Sequence, residues 1–176
     1  MNCIAAMDSS LSKNTLAFIA LAHEYCTLLK NAKELDSRNF IISITKLLPR
    51  IYISATDINN DLRSGYIEPY LDEDYYNIIR DSVSMLLGAD DTYLEVFEDD
   101  MKYSDTPICA SISESLADIF QELYNLLSNV KDAPNEAIND YVAACKENFE
   151  NYWGQTLCNV MRPLNTILYV NNLNNI

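Results

Sequence analysis

The stretch SISESLADIFQELYNLLSNV, residues 111–130, decides the fold of this chain. Apolar residues recur within it at steps of three and four, the spacing of one face of an α-helix. Ser111 or Ser113 can cap the start of this helix, because a serine hydroxyl accepts a hydrogen bond from an amide of the first turn. The residues of the apolar face are Leu116, Ile119, Phe120, Leu123, Leu127 and Val130. The pattern predicts an amphipathic helix that faces a core.

Similar periodicity on both sides of this stretch predicts four more helices. Three of them precede it: one from a cap at Ser12 or Asn14 to about residue 31, one capped by Ser37 and ending at Ala55, and one from Asp72 or Asp74 to Gly88. The fourth follows it, begins near Pro134 and is the longest.

Two prolines interrupt this helical pattern. Pro49 lies within the second predicted helix, where it lacks an amide hydrogen and crowds the carbonyl of Thr45. We therefore expect a kink there or a break into two pieces. Pro163 is expected to bend or end the long C-terminal helix.

The whole pattern predicts an all-α fold, a single-domain bundle of five or six helices over residues 1–176. Only three glycines and five prolines occur in the chain, whereas folds rich in sheet need many turn residues. We predict a loop over residues 57–71 and leave residues 89–110 unassigned, because residues 92–97 suit either a helical turn or a short strand. Residues 1–10 and 171–176 are expected to fray.

The net charge of -14 limits the classes of partner. Residues 57–105 contain fourteen acidic side chains against Arg63, Arg80 and Lys102. A field of this sign repels phosphate backbones and anionic lipids, so neither nucleic acid nor a membrane surface is an expected partner. A protein with a basic surface is the partner class that such a charge attracts. The oligomeric state is not predicted.

The five cysteines indicate a reducing compartment. They form an odd set without a C-x-x-C pair or a histidine cluster, so neither a zinc site nor a thioredoxin-like site is predicted. No basic residue precedes the short apolar run at residues 3–7, and no stretch reaches the length of a membrane span. We expect a cytoplasmic protein.

A row of acids on the central helix is the first candidate binding site. Glu114, Asp118 and Glu122 follow one another at four-residue steps. At about 100° per residue, Asp118 lies about 160° from Leu116 and Phe120, so the row is expected to face outward. Because no carboxylates are expected to point inward, we predict no metal, no cofactor and no catalytic residue.

A second acidic pattern resembles a calcium-binding loop only in part. Asp57, Asn59, Asp61 and Glu68 occupy the first, third, fifth and twelfth positions of such a loop. Leu62 stands where the sharp turn needs glycine. An ordinary acidic loop is the preferred interpretation.

Four short stretches resemble one known family. They are LLP at residues 47–49, EVF at 95–97, SLADIFQEL at 115–123 and FENYWG at 149–154. Together they resemble a bacterial family of all-helical domains of unknown function, the family numbered five-zero-six-three. The resemblance implies an all-helical bacterial cytoplasmic protein. Tyr152 stands where the family commonly has a basic residue or a histidine, so the resemblance gives no catalytic residue.

Two functions are compatible with these patterns. The first is a non-catalytic interaction or adaptor domain that uses an acidic surface. The alternative is a small-molecule-binding protein or a metal-dependent enzyme with a pocket between helices, in which Tyr152 and Trp153 join Asp118 and Glu122 as the lining. Glu114, Asp118, Glu122, Tyr152 and Trp153 are therefore the candidate binding residues.

Overall fold

A computed structural model describes residues 11–59, 65–95 and 108–170 of the chain. The described residues form helices and one antiparallel pair of strands, β1 and β2. The helices are α1 (Lys13–Lys30), α2 (Ser37–Thr56), α3 (Glu73–Leu87), α4 (Ile112–Val130), α5 (Asn135–Asn148) and α6 (Gly154–Asn165), and the strands are β1 (Thr92–Leu94) and β2 (Cys109–Ser111). The all-α prediction is confirmed. Within the described residues no helix has both the length and the apolar character that a membrane crossing requires.

Helix α4 packs against α1, α3, α5 and α6 and so lies at the centre of the bundle. Leu116, Ile119, Phe120 and Leu123 of its predicted apolar face are fully buried. Each such side chain stabilises the fold by about 1.5–3 kcal/mol through its removal from water. The hydroxyl of Tyr25 in α1 donates a hydrogen bond of 2.8 Å to the carbonyl of Leu116. The stretch that predicted the fold is thus also its core.

Most of the predicted helix starts are confirmed by their capping hydrogen bonds. The side chains of Ser12, Asp72 and Ser111 each accept a hydrogen bond from the amide three residues later. The second start is wrong by one residue, because Asp36 and not Ser37 is the cap. Both residue types can cap a helix, so the sequence alone does not separate two adjacent candidates.

Pro49 does not divide the second helix. Helix α2 continues through it from Ser37 to Thr56, so of the kink or break expected there, the break into two pieces is wrong. Leu48 and Ile51 on either side of the proline are fully buried. The packing of this face offsets the one hydrogen bond that proline cannot donate.

The predicted long C-terminal helix is a continuous helical run over residues 135–170. A π turn at Phe149–Trp153 joins α5 to α6, and a second π turn at Thr166–Val170 follows α6. Pro163 lies inside α6, and α-helical structure ends at Asn165, two residues beyond it. The described residues therefore contain five helical rods if this run is counted once.

The segment before α3 is held to the bundle by two asparagines. The side-chain oxygen of Asn125 accepts hydrogen bonds from the amides of Tyr70, at 2.8 Å, and Leu71, at 2.9 Å. The side chain of Asn129 accepts from the amide of Glu68 and donates to its carbonyl. These bonds satisfy backbone groups of a chain segment that has no helix or strand of its own. The predicted loop is confirmed for residues 65–71.

The unassigned region contains the short sheet. Gly88 ends α3 with a positive φ of 56°, and Thr92 then begins β1, which pairs with β2. Buried Asp91 accepts hydrogen bonds from the amide, at 2.7 Å, and the hydroxyl, at 2.8 Å, of Ser113 at the start of α4. Predictions for residues 1–10, 60–64, 96–107 and 171–176 lie outside the described residues.

Candidate functional site

The Asp118 carboxylate connects three elements of the fold. The hydroxyl of Tyr76 in α3 donates to Oδ1 at 2.7 Å, and the hydroxyl of Tyr152 in the π turn donates to Oδ2 at 3.0 Å. Both oxygens of the acid therefore contact a neutral donor. This arrangement fixes the position of the acid on the side of α4 that faces α3 and the π turn.

Both tyrosine hydroxyls are held in their protonated form. Burial, followed by the interactions with Asp118, raises the pKa of Tyr76 well above its usual value. The same two causes raise the pKa of Tyr152 to about 12. A negative charge on either oxygen would face the carboxylate of Asp118. At neutral pH both groups are hydrogen-bond donors and neither is a base.

Glu122 lies one turn further along α4 and also has a neutral partner. The amide nitrogen of Asn148 donates to its Oε2 at 2.9 Å. Partial burial raises the pKa of Glu122, the hydrogen bond from Asn148 lowers it, and the charge of Asp118 raises it. Glu114, one turn before Asp118, is exposed.

The row of acids predicted to face outward is exposed to different degrees along α4. Asp118 and Glu122 are half-buried, and only Glu114 faces solvent freely. A helical wheel places a residue relative to its own helix, whereas here α3 and the π turn flank α4 and cover its sides. Tyr76 was missed for the same reason, because its spacing in α3 gives no sign of what lies opposite.

Trp153 does not belong to this site. It is fully buried, and its indole nitrogen donates to the carbonyl of Cys145 at 3.1 Å. Its ring packs edge-on against Phe149 with centroids 4.7 Å apart. The prediction that Trp153 lines a pocket with Asp118 and Glu122 is wrong, since its indole is part of the core.

The π turn depends on a glycine that directly follows it. A Cβ atom at Gly154 would lie 2.6 Å from the carbonyl oxygen of Phe149 and 2.9 Å from its ring. Any other residue at this position would push the ring or the turn away. Gly154 is thus required for the close packing of Phe149, although a helix-interior glycine costs about 1 kcal/mol relative to alanine.

A cleft of about 460 Å³ lies on the other side of the π turn, between α2 and the C-terminal run. We call it the Lys146 cleft. Its lining residues are Tyr52, Thr56, Lys146, Phe149, Glu150, Gly154, Gln155 and Cys158. The Lys146 ammonium is buried, donates to the carbonyl of Ile58 at 2.7 Å and lies 3.6 Å from Oε1 of Glu150. No pattern in the sequence predicted this cleft.

The charges of α3 and α4 are strongly unbalanced. The two helices contain six carboxylates and a single guanidinium, that of Arg80. Arg80 forms an ion pair of 2.9 Å with its neighbour Asp81. We call Glu114, Asp118, Glu122 and Tyr152 the acidic face. In the part of the chain that the structure describes, no group of three or more His, Cys, Asp or Glu side chains is placed to hold a metal ion.

Fold and site together define an all-helical domain with a tyrosine-bound acidic face and a separate small cleft. The chain belongs to the family described as domain of unknown function DUF5063, whose model matches residues 9–170. The structure is also similar to the crystal structure of protein BF1032 from Bacteroides fragilis, with a TM-score of 0.75 and 30% sequence identity. That similarity covers 90% of this chain and 94% of the other. No curated protein matches the chain.

Proposed function

We propose that this protein is a non-catalytic interaction module that binds a basic segment of a protein partner at its acidic face. One observation supports this function above the others. The hydrogen-bond donors that hold Asp118 and Glu122 are two hydroxyls and an amide, all of them neutral. They bind both oxygens of Asp118 and one oxygen of Glu122 without cancelling the negative charge of either acid.

The neutral donors hold the acids in position before a cation binds. Acids that are already ordered lose little side-chain entropy when a lysine or arginine of a partner approaches. A bond between such a cation and a carboxylate is stronger than a bond between neutral groups. The ring of Tyr152, whose residue is 50% exposed, offers a further surface for a cation.

The proposed compartment is the cytoplasm. Cys26, Cys109, Cys145 and Cys158 are free thiols, which is usual for proteins of a reducing compartment. Trp153 is not included among the contact residues, because its ring has no exposed surface.

Fluorescence anisotropy with a labelled lysine- and arginine-rich peptide tests this function. We expect saturable binding that weakens steeply as salt rises, because exposed charges are screened over about 10 Å at 0.1 M salt. A peptide of the same length with glutamate in place of the basic residues should not bind.

Matched variants locate the binding face. Asp118→Asn combined with Glu114→Gln should weaken peptide binding by about tenfold or more, the equivalent of roughly 1.4 kcal/mol. Asp132→Asn removes an exposed acid beyond the end of α4 and should leave the affinity unchanged. If the affinity changes neither with salt nor with the combined substitutions at Asp118 and Glu114, the acidic face is ruled out as the interaction site.

A further inference from the structure

We infer that a pocket beside strand β1 binds the C-terminal end of an extended peptide chain of a partner, with an apolar last residue. We call it the β1 edge pocket. It has a volume of about 440 Å³ and is lined by Thr92 and Leu94 of β1 and by Arg162 of α6, among others. The inference does not depend on the acidic face, because the two share no residue.

Strand β1 has backbone hydrogen-bonding groups on the side that faces away from β2. Leu94 is opposite Cys109 in the register of the two strands. The next pair is hydrogen-bonded, since the amide of Glu95 donates to the carbonyl of Ile108 at 2.9 Å. Bonded and non-bonded pairs alternate in an antiparallel ladder, so the amides and carbonyls of Thr92 and Leu94 point away from β2. This side of β1 is therefore a sheet edge to which an extended peptide can be added.

Arg162 determines which part of a peptide fits this edge. One nitrogen of its guanidinium donates to the carbonyl of Leu94 at 2.6 Å. A guanidinium has five N–H donors, and this side chain is exposed, so further donors can reach a ligand in the pocket. A carboxylate matches the geometry and the charge of these donors. The group expected beside Arg162 is thus the terminal carboxylate of the peptide.

The bond from Arg162 also determines the direction of the peptide. In an antiparallel addition, the residue opposite Leu94 would donate to the carbonyl that Arg162 already binds. A parallel peptide that ends beside Leu94 leaves this carbonyl to Arg162. The amide of its last residue donates to the carbonyl of Thr92, and its carboxylate accepts from the amide of Leu94 and from Arg162. A parallel chain end therefore uses the edge without competing for an acceptor.

The charges along the pocket favour the same direction. Asp90 lines the pocket and precedes β1, whereas Arg162 contacts the last residue of the strand. A parallel peptide has its negative end beside the guanidinium and away from the carboxylate of Asp90. The opposite direction would bring the two carboxylates toward each other, which is unfavourable.

The side of the pocket next to the helices is apolar. Aligned residues of neighbouring strands face the same side of a sheet, and the last residue of the peptide aligns with Tyr93. Tyr93 faces α4, since its hydroxyl oxygen is 3.3 Å from that of Ser115. Pro163 and Ile167 provide apolar lining from the C-terminal helical run. An apolar terminal side chain, such as that of valine, complements this lining.

Fluorescence anisotropy tests the inference with a peptide that has no basic side chain for the acidic face. The probe is a short peptide of serine, threonine and glycine that ends in valine with a free carboxylate and is labelled at its amino end. We expect saturable binding. The same peptide with a C-terminal amide should bind at least ~10-fold more weakly, since one lost charged hydrogen bond has about this effect. Free L-valine lacks the strand and should compete at least ~10-fold less well than the unlabelled peptide.

A matched pair of arginine variants shows whether the carboxylate binds at Arg162. Arg162→Gln should weaken binding of the free-carboxylate peptide by about tenfold. Arg50→Gln removes another exposed arginine, one that lies in α2 and does not line the pocket, and it should have no effect. Both variants change the net charge by the same amount, so a general electrostatic effect would appear in both.

A second pair of variants tests the backbone contact. Leu94→Pro removes the amide that donates to the peptide but no ladder bond to β2, and proline is tolerated at such edge positions. Leu94→Ala removes only the side chain, which is exposed. The proline variant should bind the peptide about tenfold more weakly than the alanine variant. Thermal melting followed by circular dichroism checks that both variants are folded.

Any of four results would overturn the inference. They are no binding of the free-carboxylate peptide to the wild-type chain, equal binding of the amide peptide, unchanged affinity of Arg162→Gln, and competition by free L-valine as strong as that by the peptide. Equal affinities of folded Leu94→Pro and Leu94→Ala would likewise contradict the addition of a strand to β1. The acidic face is tested with a basic peptide, so either conclusion can fail while the other stands.

Discussion

The two sides of the π turn at Phe149–Trp153 differ in how their charges are balanced. On one side Tyr152 donates to Asp118, an acid whose two partners are neutral hydroxyls. On the other side Glu150 lies beside the ammonium of Lys146. A single five-residue turn thus contributes residues both to the acidic face and to the Lys146 cleft. The first arrangement suits a cationic partner, whereas in the second a buried cation is already bound by the fold itself.

The largest expected effect is a loss of stability when the π turn at Phe149–Trp153 loses its buried tryptophan. Trp153→Ala removes a fully buried ring and its hydrogen bond to the carbonyl of Cys145. We expect a loss of about 3–5 kcal/mol in the free energy of unfolding, which urea titration measures. Tyr169→Ala in the second π turn removes an exposed ring and should cost less than about 0.5 kcal/mol. Equal effects of the two substitutions would contradict a core role for the first turn.

The next prediction compares the stability cost of removing the buried ammonium of Lys146 with that of neutralising the half-buried carboxylate of Asp118. Lys146→Met leaves the carbonyl of Ile58 without this donor, in a buried position, and should cost about 1–3 kcal/mol. Asp118→Asn keeps an acceptor for the tyrosines and relieves repulsion along α4, so its cost should stay below about 1 kcal/mol. Urea unfolding of both variants at the same pH provides the comparison. If Asp118→Asn were the more destabilising, the acidic face would be part of the framework and not a site kept for a partner.

A smaller effect is a loss of folding stability at alkaline pH. The pKa of Tyr152 is about 12 in the folded chain, above the value of 10.0 for a free tyrosine. The folded state therefore holds the hydroxyl proton more tightly, and stability falls as pH rises from about 10 to 12. Tyr152→Phe should show a shallower fall over this window when thermal melting is followed by circular dichroism. The spectroscopic titration of Tyr152 should shift back toward 10 in Asp118→Asn. An identical alkaline profile for the wild type and Tyr152→Phe would show that this hydroxyl does not titrate as described.

The fold was predictable from the sequence because its signals are local. The apolar stripe of α4, the capping side chain of Ser111 and the terminal Gly88 each specify structure within one or two helical turns. Only the break considered at Pro49 was wrong, since a local rule for proline does not include the buried face that holds α2 together.

The sites were less predictable because they depend on contacts between distant residues. Tyr76 and Asp118 are 42 positions apart, and Lys146 bonds to a carbonyl 88 positions away. The hydrogen bonds that Asn125 accepts from the amides of Tyr70 and Leu71 also join residues that are far apart in the sequence. The position of an asparagine within an amphipathic helix does not predict that a distant loop will pack against that helix and donate hydrogen bonds to its side chain.

Mapping of the bound peptide by two-dimensional NMR tests the central proposal most directly. On titration of the ¹⁵N-labelled protein with the basic peptide, we predict shift changes in the amides of Glu114, Asp118, Glu122 and Tyr152 that disappear as salt is raised. The amides that line the Lys146 cleft should not respond to the peptide. Peptide-induced changes confined to any other surface, or changes that persist at high salt, would contradict the account.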